Sequence, residues 1–345
     1  MTKLLEIKDK MLDFYGNYET YLFSVVKFII ALLAFSTINS KLGYRESLTS
    51  VTVVLVLSLV CCLLPVNGTI FIAGIFILAH LSALSMESAL VTALLFIVIY
   101  LIYFRFTPKD GIIAILTPIA FNINIPFVMP IACGLMRPSQ SVIGVACGTI
   151  FYYFLDGISK SAVELAELTT DDGTSSKINL ALAQLFANKE MYVVLAVMIV
   201  ACIAVNVIRK VRVDYAWTIA IISGVLIQVI GVVVGLMVSQ ISINAVMITM
   251  GSLASLIVGF VLQFLFMNLD YSRTERLQFE DDDYFYFVKA VPKKTVAGGE
   301  KAVKHFGNTM SMGKRINKEN KNLVDDATTD RVIAQELDFD DDLLK

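Results

Sequence analysis

Polar side chains inside an apolar stretch are the first residues of this sequence that could do chemistry. Asn122 and Asn124 lie in GIIAILTPIAFNINIPFVMPIACGL, residues 111–135, and Pro126 follows them closely. Amide groups beside backbone that proline has freed from helical hydrogen bonding are suited to binding solutes and ions. His80 lies in another apolar stretch, and a histidine at membrane depth is a functional candidate. These four residues predict a solute pocket, although His80 also fits a hydrogen-bonded packing role.

No set of side chains with the spacing of a catalytic or metal site occurs in the sequence. The chain has two histidines, His80 and His305, and it lacks the motifs of serine hydrolases, zinc proteases and dithiol enzymes. Without a Walker A loop, any ATP-driven process needs a separate subunit. We therefore predict no catalytic residue, no cofactor and no metal. The cysteines all lie in apolar stretches and act as small hydrophobes: Cys61, Cys62, Cys133, Cys147 and Cys202.

The elements that must position the pocket follow from the prolines of residues 111–135. Pro118, Pro126 and Pro130 each remove a backbone donor and clash with the preceding turn, which prevents one regular helix. At membrane depth such backbone is tolerated only where protein or a water-filled cavity surrounds it. We predict two short helical pieces that meet at Phe121–Ile125 inside a bundle. Each piece has about 10–12 residues, too few to cross the bilayer upright, and both a double crossing and a re-entrant pair remain open.

Composition places the whole chain in the membrane class. Of its 345 residues, 57% are apolar and 17% are charged, whereas about a quarter are charged in a soluble domain. Charges occur mainly in short connectors up to residue 268 and are dense from residue 269 onward. The net charge of −2 gives no global field that would attract nucleic acid. We predict an all-α polytopic membrane bundle over residues 21–268, in contact with the lipid bilayer.

Eight full spans, besides the proline-broken pair at 111–135, are predicted from the apolar stretches. Before them, residues 1–20 place apolar side chains on one helical face, which predicts an interfacial helix or a solvated helix docked on the bundle. Residues 158–190 form the longest connector and hold a predicted surface helix. The spans lie near 21–38, 48–65, 69–84, 89–104, 141–155, 191–208, 215–238 and 245–267.

Small residues four positions apart mark three of these spans as contact faces for other helices. The facing helix belongs either to this chain or to a second copy, so a homo-oligomer through the glycine faces is one prediction. The sets are Gly144 with Gly148, Gly231 with Gly235, and Gly251 with Ser255 and Gly259.

The orientation follows from arginine and lysine in the short connectors. RKVR at residues 209–212 is the clearest positive cluster between spans and is predicted to be cytoplasmic. If residues 111–135 enter and return, Arg105 and Lys109 also lie inside, while Lys41 and Arg45 lie outside, against the rule. If those residues form one span, Arg105, Lys109 and the lysine-bearing N-terminus lie outside instead. The charge pattern favours the pair and predicts both termini in the cytoplasm.

The polar tail contains two stretches that predict contacts with other molecules. Residues 269–297 form a juxtamembrane segment whose YFYFVKAV stretch has strong strand propensity. This stretch is predicted to pair with another strand, lie on the membrane interface or dock on a partner. Residues 298–345 are predicted to be a flexible cytoplasmic tail. Its end is either a solvated acidic terminus or a docking peptide for a cytosolic protein, which would use Leu337, Phe339, Asp340, Asp341 and Leu343.

The stretch QFEDDDYFYFVKAVPK, residues 278–293, resembles a signature of multi-spanning membrane proteins from Gram-positive bacteria, some of them labelled transporter permeases. More loosely, the short spans with prolines resemble the substrate-binding subunits of vitamin importers and the rod-shape membrane protein family. The resemblance implies a bacterial cytoplasmic membrane and kinship with the first group. It assigns no functional residue.

Two functions remain open from the sequence. The broken helix favours a transport-related protein, either a permease or a substrate-binding membrane subunit for a small solute, with any ATPase on a separate subunit. The tail and the glycine faces favour a membrane scaffold for cell-envelope assembly that recruits a cytosolic partner. A membrane-embedded enzyme ranks third, because no acid–base pair supports it.

Overall fold

The computed structural model describes residues 2–167, 173–240, 244–267, 275–280 and 285–290. Within these ranges the chain is almost entirely helical, and the prediction of an all-α polytopic bundle is confirmed. The helices are α1 (Thr2–Leu42), α2 (Glu46–Thr49), α3 (Val51–Leu63), α4 (Val66–Leu84), α5 (Met86–Phe106), α6 (Gly111–Asn122), α7 (Val128–Met136), α8 (Val142–Lys160), α9 (Ala162–Glu167), α10 (Gly173–Phe186), α11 (Lys189–Ile208), α12 (Ala216–Ser239) and α13 (Ala245–Phe266).

Seven helical stretches within the described residues are long and apolar enough to cross a membrane. The span predicted near 48–65 is shorter than expected, because α3 has 13 residues and a length of about 20 Å against a hydrocarbon core of about 30 Å. Pro65 ends it by holding Leu64 in an extended conformation. The seven stretches are Phe14–Leu42, Val66–Leu84, Met86–Phe106, Ser139–Lys160, Ser176–Ile208, Ala216–Ser239 and Ala245–Phe266.

The N-terminal helix and the first span join in α1, whose helical geometry breaks at Tyr18 with φ −121° and ψ 21°. This break lies close to the predicted boundary at residue 20. Before it, Lys8 donates a hydrogen bond from Nζ to the Phe264 carbonyl over 2.6 Å. The start of α1 therefore lies beside the end of α13.

Contacts between helix ends define two opposite faces of the bundle. On the first, called the Arg209 face, Arg209 at the end of α11 donates to the carbonyls of Leu135 and Arg137 at the end of α7. On the second, called the Asp156 face, Lys41 at the end of α1 lies 2.5 Å from the Asp156 carboxylate near the end of α8.

The glycine sets lie against other helices of the same chain. A Cβ at Gly148 would stand 2.7 Å from Thr117 Cβ on α6, and one at Gly251 would stand 2.7 Å from the ring of Phe127. Gly231 faces Val197 on α11 in the same way. The prediction that these are helix-contact faces is confirmed, whereas a homo-oligomer stays a prediction.

Two strands follow the bundle and pair antiparallel, β1 (Glu275–Glu280) with β2 (Phe285–Ala290). Glu280 pairs with Phe285 and Glu275 with Ala290. The strand propensity of the juxtamembrane segment is therefore satisfied by pairing within the chain, one of the three predicted alternatives.

Candidate functional site

The broken segment is a hairpin built from α6 and α7. Asp110, at the start of α6, lies 3.5 Å from the Arg137 guanidinium after α7 and accepts a 2.5 Å hydrogen bond from Ser141. The segment therefore returns to the face from which it starts. With 12 and 9 residues, α6 and α7 are about 18 and 14 Å long. Both lengths are well short of a hydrocarbon core of about 30 Å, which favours a re-entrant pair over a double crossing.

The turn of the hairpin depends on residues 123–127. Asn124 has φ 59°, the left-handed conformation that asparagine tolerates better than most residues. The backbone N–H of Ile125 then donates to the Ala120 carbonyl over 2.8 Å, and Pro126 prevents α6 from continuing. Pro126 thus has the helix-breaking role that the sequence predicts, whereas the left-handed turn at Asn124 was not predicted.

Polar side chains from α11 hold the returning half of the hairpin. Asn206, 1% exposed, donates from Nδ2 to the Gly134 and Arg137 carbonyls over 3.2 and 2.6 Å. Ser139 in turn donates to Asn206 Oδ1 over 2.7 Å. Arg209 adds its guanidinium. Burial lowers the pKa of this group below its ordinary value. Together these groups satisfy carbonyls that a helix end leaves without partners.

The tip of the hairpin is anchored by packing and by one hydrogen bond. The Phe121 ring stacks on Tyr152 of α8 at 4.5 Å between centroids. On the other side Gln228 of α12, 1% exposed, donates from Nε2 to the Phe127 carbonyl over 3.0 Å. The half-helices are therefore held in place within the bundle, as irregular backbone at membrane depth requires.

A cavity lies on the other side of α6, between α1, α4, α5, α6 and α8. The cavity has a volume of about 110 Å³. The empty space within and around it, including the open side, amounts to about 710 Å³. The first half of the hairpin forms one wall, so the proline-containing helix borders the cavity directly. Lining residues include Thr37, Gly74, Tyr100, Tyr103, Pro118 and Phe151.

The lining of this cavity is apolar and aromatic. Two of its three hydroxyl groups are already engaged: Thr37 donates to the Ala34 carbonyl over 2.8 Å, and Tyr103 lies 2.8 Å from Asn67 Oδ1 and 3.1 Å from the Pro108 carbonyl. Tyr100 stacks on Phe96 at 5.8 Å between ring centroids. The cavity therefore offers dispersion contacts and few hydrogen bonds.

None of the four predicted pocket residues lines the cavity. Asn122 is half-buried, Asn124 is exposed and Pro126 is buried, all at the turn of the hairpin. His80 is fully buried in α4, where its ring meets Phe76 edge-on and its Nδ1 accepts from the Arg45 backbone N–H over 3.4 Å. The hairpin brings the first three residues together, His80 packs against a different set of residues, and binding by any of them stays a prediction.

The cavity residues could not be identified from the sequence, because apolar side chains that face a cavity have the same residue types as apolar side chains that face lipid. Pro118 and Gly148 were the usable signals, since both allow a neighbouring helix or a ligand to come close to backbone. The predicted docking residues Leu337, Phe339, Asp340, Asp341 and Leu343 lie outside the described residues.

No protein-family model, curated protein or solved structure matches the chain.

Proposed function

We propose that this integral membrane protein is transport-related, either a permease or a substrate-binding membrane subunit, and that it takes a small molecule into the cavity beside α6. The observation that carries the proposal is a discontinuous helix, α6, that contains Pro118 and forms a cavity wall among helices long and apolar enough to cross a membrane. Transporters commonly build their binding sites from such half-helices, because irregular backbone is tolerated where it borders a cavity.

We also propose a bacterial cytoplasmic membrane with the Arg209 face in the cytoplasm. Short connectors rich in arginine and lysine stay on the cytoplasmic side, and this face collects six such residues. The Lys8–Phe264 contact places the start of α1 and the end of α13 side by side, which supports a cytoplasmic location of both ends of the membrane domain. The six residues are Arg105, Lys109, Arg137, Arg209, Lys210 and Arg212.

The proposal is tested by filling the cavity. Ala73→Phe places a ring in the cavity. Leu94→Phe serves as the control, because it adds a ring on the outer surface of α5, where Leu94 is 61% exposed. Wild type and both variants are purified in mild detergent, and bound small molecules are identified by mass spectrometry. We expect a molecule that accompanies wild type and Leu94→Phe but not Ala73→Phe. The same molecules on all three proteins would contradict the proposal.

The turn of the hairpin is tested in parallel as the alternative site. Asn122→Ala removes one amide, and Asn124→Gly removes the other while tolerating the left-handed backbone. If the cavity is the site, both variants keep the bound molecule. If they lose it while Ala73→Phe keeps it, the pocket lies at the turn and the cavity does not carry binding.

A membrane scaffold is the second candidate function, and the β1–β2 pair favours it. A two-stranded ribbon can accept a further strand from another protein. The partner would be a cytosolic protein or a separate ATPase subunit, with the end of the tail as a second contact. Deletion of residues 333–345 is expected to remove a co-purifying protein. Cell-envelope proteins in that fraction favour the scaffold and an ATPase favours transport, whereas an unchanged pull-down rejects docking by the tail.

A further inference from the structure

The chemistry of the cavity restricts what it can hold. An apolar cavity of about 150 Å³ in a protein core stays dry and binds a molecule of the size of benzene. The present cavity, with a volume of about 110 Å³, has room for about four or five carbon atoms of a chain. It is too small for a whole sugar or nucleoside, so it accommodates part of a larger ligand.

Desolvation decides which part of a ligand enters. A hydroxyl or amide group transferred from water into an apolar site without a hydrogen bond costs about 2–7 kcal/mol. The Thr37 and Tyr103 hydroxyls already have partners, which leaves the Tyr100 hydroxyl as the one lining hydroxyl that could compensate such a group. A hydrocarbon segment has no such cost and gains contact with the rings of Tyr100 and Phe151, which line the cavity. The lining therefore selects hydrocarbon.

The Arg209 end of the cavity is closed to water-soluble molecules. The Tyr103 side chain, 2% exposed, fills this end and is held by Asn67 and the Pro108 carbonyl. Tyr100, in contrast, lines the cavity and packs against Phe71 and Phe104, both of which are exposed on the outer apolar surface. This arrangement favours a path from the bilayer over a path from the Arg209 face.

We propose that the cavity holds the hydrocarbon tail of an amphipathic ligand, an acyl or isoprenoid chain that reaches it from the bilayer while its head group stays outside. The inference rests on the proposed function and names its substrate class. Either a membrane lipid or a separate isoprenoid could supply such a tail, and the experiment distinguishes the two sources.

Fluorescence quenching by brominated chains tests the proposal on the full chain in lipid vesicles. Trp217 is the single tryptophan, so Trp217→Phe gives a silent background for Phe151→Trp in the cavity wall. Leu94→Trp on the exposed side of α5 is the matched control. Dibromostearic acid is added to vesicles of ordinary phospholipid, a brominated isoprenoid alcohol is added separately, and a third set is made from brominated phospholipid. If Phe151→Trp does not fold, Ile99→Trp replaces it in the same wall.

We expect the fluorescence of Phe151→Trp to be quenched in a saturable way as the brominated chain is added. At the same concentrations, quenching of Leu94→Trp should rise only in proportion to the amount of chain that partitions into the bilayer. Ala73→Phe should weaken the saturable part at least about fivefold, because it occupies the same space. Preferential quenching by the isoprenoid identifies an isoprenoid ligand. Quenching by brominated phospholipid that neither added chain displaces identifies membrane lipid. Equal, linear quenching of both reporters by every chain overturns the proposal.

The two proposals can fail separately. Mass spectrometry could find a polar molecule whose binding is lost in Ala73→Phe, while no brominated chain quenches Phe151→Trp. The hydrocarbon-tail proposal is then rejected and the transport-related function stands. If bulk phospholipid fills the cavity and no other molecule is captured, the hydrocarbon-tail proposal is supported and the transport-related function loses its binding site.

Discussion

Single polar side chains hold a half-helix at membrane depth in this protein. The last carbonyls of α7 have no partners within their own helix, and an unpaired carbonyl costs more in a bilayer than in water. Asn206 and Arg209 satisfy two of them, those of Gly134 and Leu135, and also the carbonyl of Arg137, the residue that follows α7. These contacts join residues about 70 positions apart in the chain, so the polar side chains fix where α7 ends.

Replacing Asn206 by leucine tests this role. The substitution keeps a side chain of similar size but leaves the Gly134 carbonyl without a donor, and it weakens the support of the Arg137 carbonyl. We expect a loss of about 1–3 kcal/mol in stability, measured as a lower unfolding midpoint of the purified protein in detergent. Ser252→Ala is the control, because Ser252 is partly exposed and donates only to its own helix. Equal midpoints for Asn206→Leu and wild type would contradict the role.

At the scale of elements, α6 depends on close approach to α8. Pro118 has no N–H, so the Ala114 carbonyl loses its helical partner. Gly148 of α8 lies over this position, and a Cβ there would stand 3.0 Å from the Ala114 oxygen and 2.7 Å from Thr117 Cβ. The absence of a side chain at Gly148 thus lets α8 cover the disturbed turn of α6.

Gly148→Ala is therefore expected to destabilise the bundle by about 1–3 kcal/mol, because Thr117 Cβ belongs to a rigid β-branched residue and cannot move aside cheaply. The matched control is Gly16→Ala in α1, where an added Cβ meets no atom within 4 Å. This control should leave stability unchanged or raise it by up to about 1 kcal/mol. Unfolding midpoints of both variants measure the difference, and a shift of the same size in both would reject the contact argument.

At the scale of the whole molecule, the contacts separate the connectors into the Arg209 face and the Asp156 face. Asp110 and Arg137 meet on the first face, and Lys41 and Asp156 meet on the second. The re-entrant hairpin sets this division, since one crossing at residues 111–135 would place Asp110 and Arg137 on opposite sides.

Thiol labelling in intact cells tests the hairpin and the orientation together. In a background without native cysteines, we introduce Lys109→Cys, Gln140→Cys and Glu164→Cys, one at a time and all at exposed positions. A membrane-impermeant maleimide should label Glu164→Cys in intact cells, and the other two only after the membrane is opened. Labelling of Lys109→Cys and Gln140→Cys from different sides would contradict the hairpin. Labelling of both from outside would reverse the proposed orientation.

The amino-acid sequence by itself determined the membrane class, most of the helices and the interruption at 111–135. These features depend on local composition: long apolar runs require helices in a bilayer, and Pro118 and Pro126 interrupt one wherever they occur. The glycine spacing likewise identified faces of close helix approach, with Gly148 and Gly251 as confirmed cases. Each of these inferences needed only a short stretch of chain.

Only the tertiary structure decided that the hairpin returns, where the cavity lies and what lines it. The return depends on pairs such as Asp110 with Arg137 and Asn206 with the Arg137 carbonyl, whose members are far apart in sequence. The cavity wall consists of apolar residues that differ from lipid-facing ones only in what lies opposite them. The sequence placed Asn122 and Asn124 where the two helical pieces meet, but only the bundle shows that neither lines the cavity, because the position of a side chain is set by the helices packed around it.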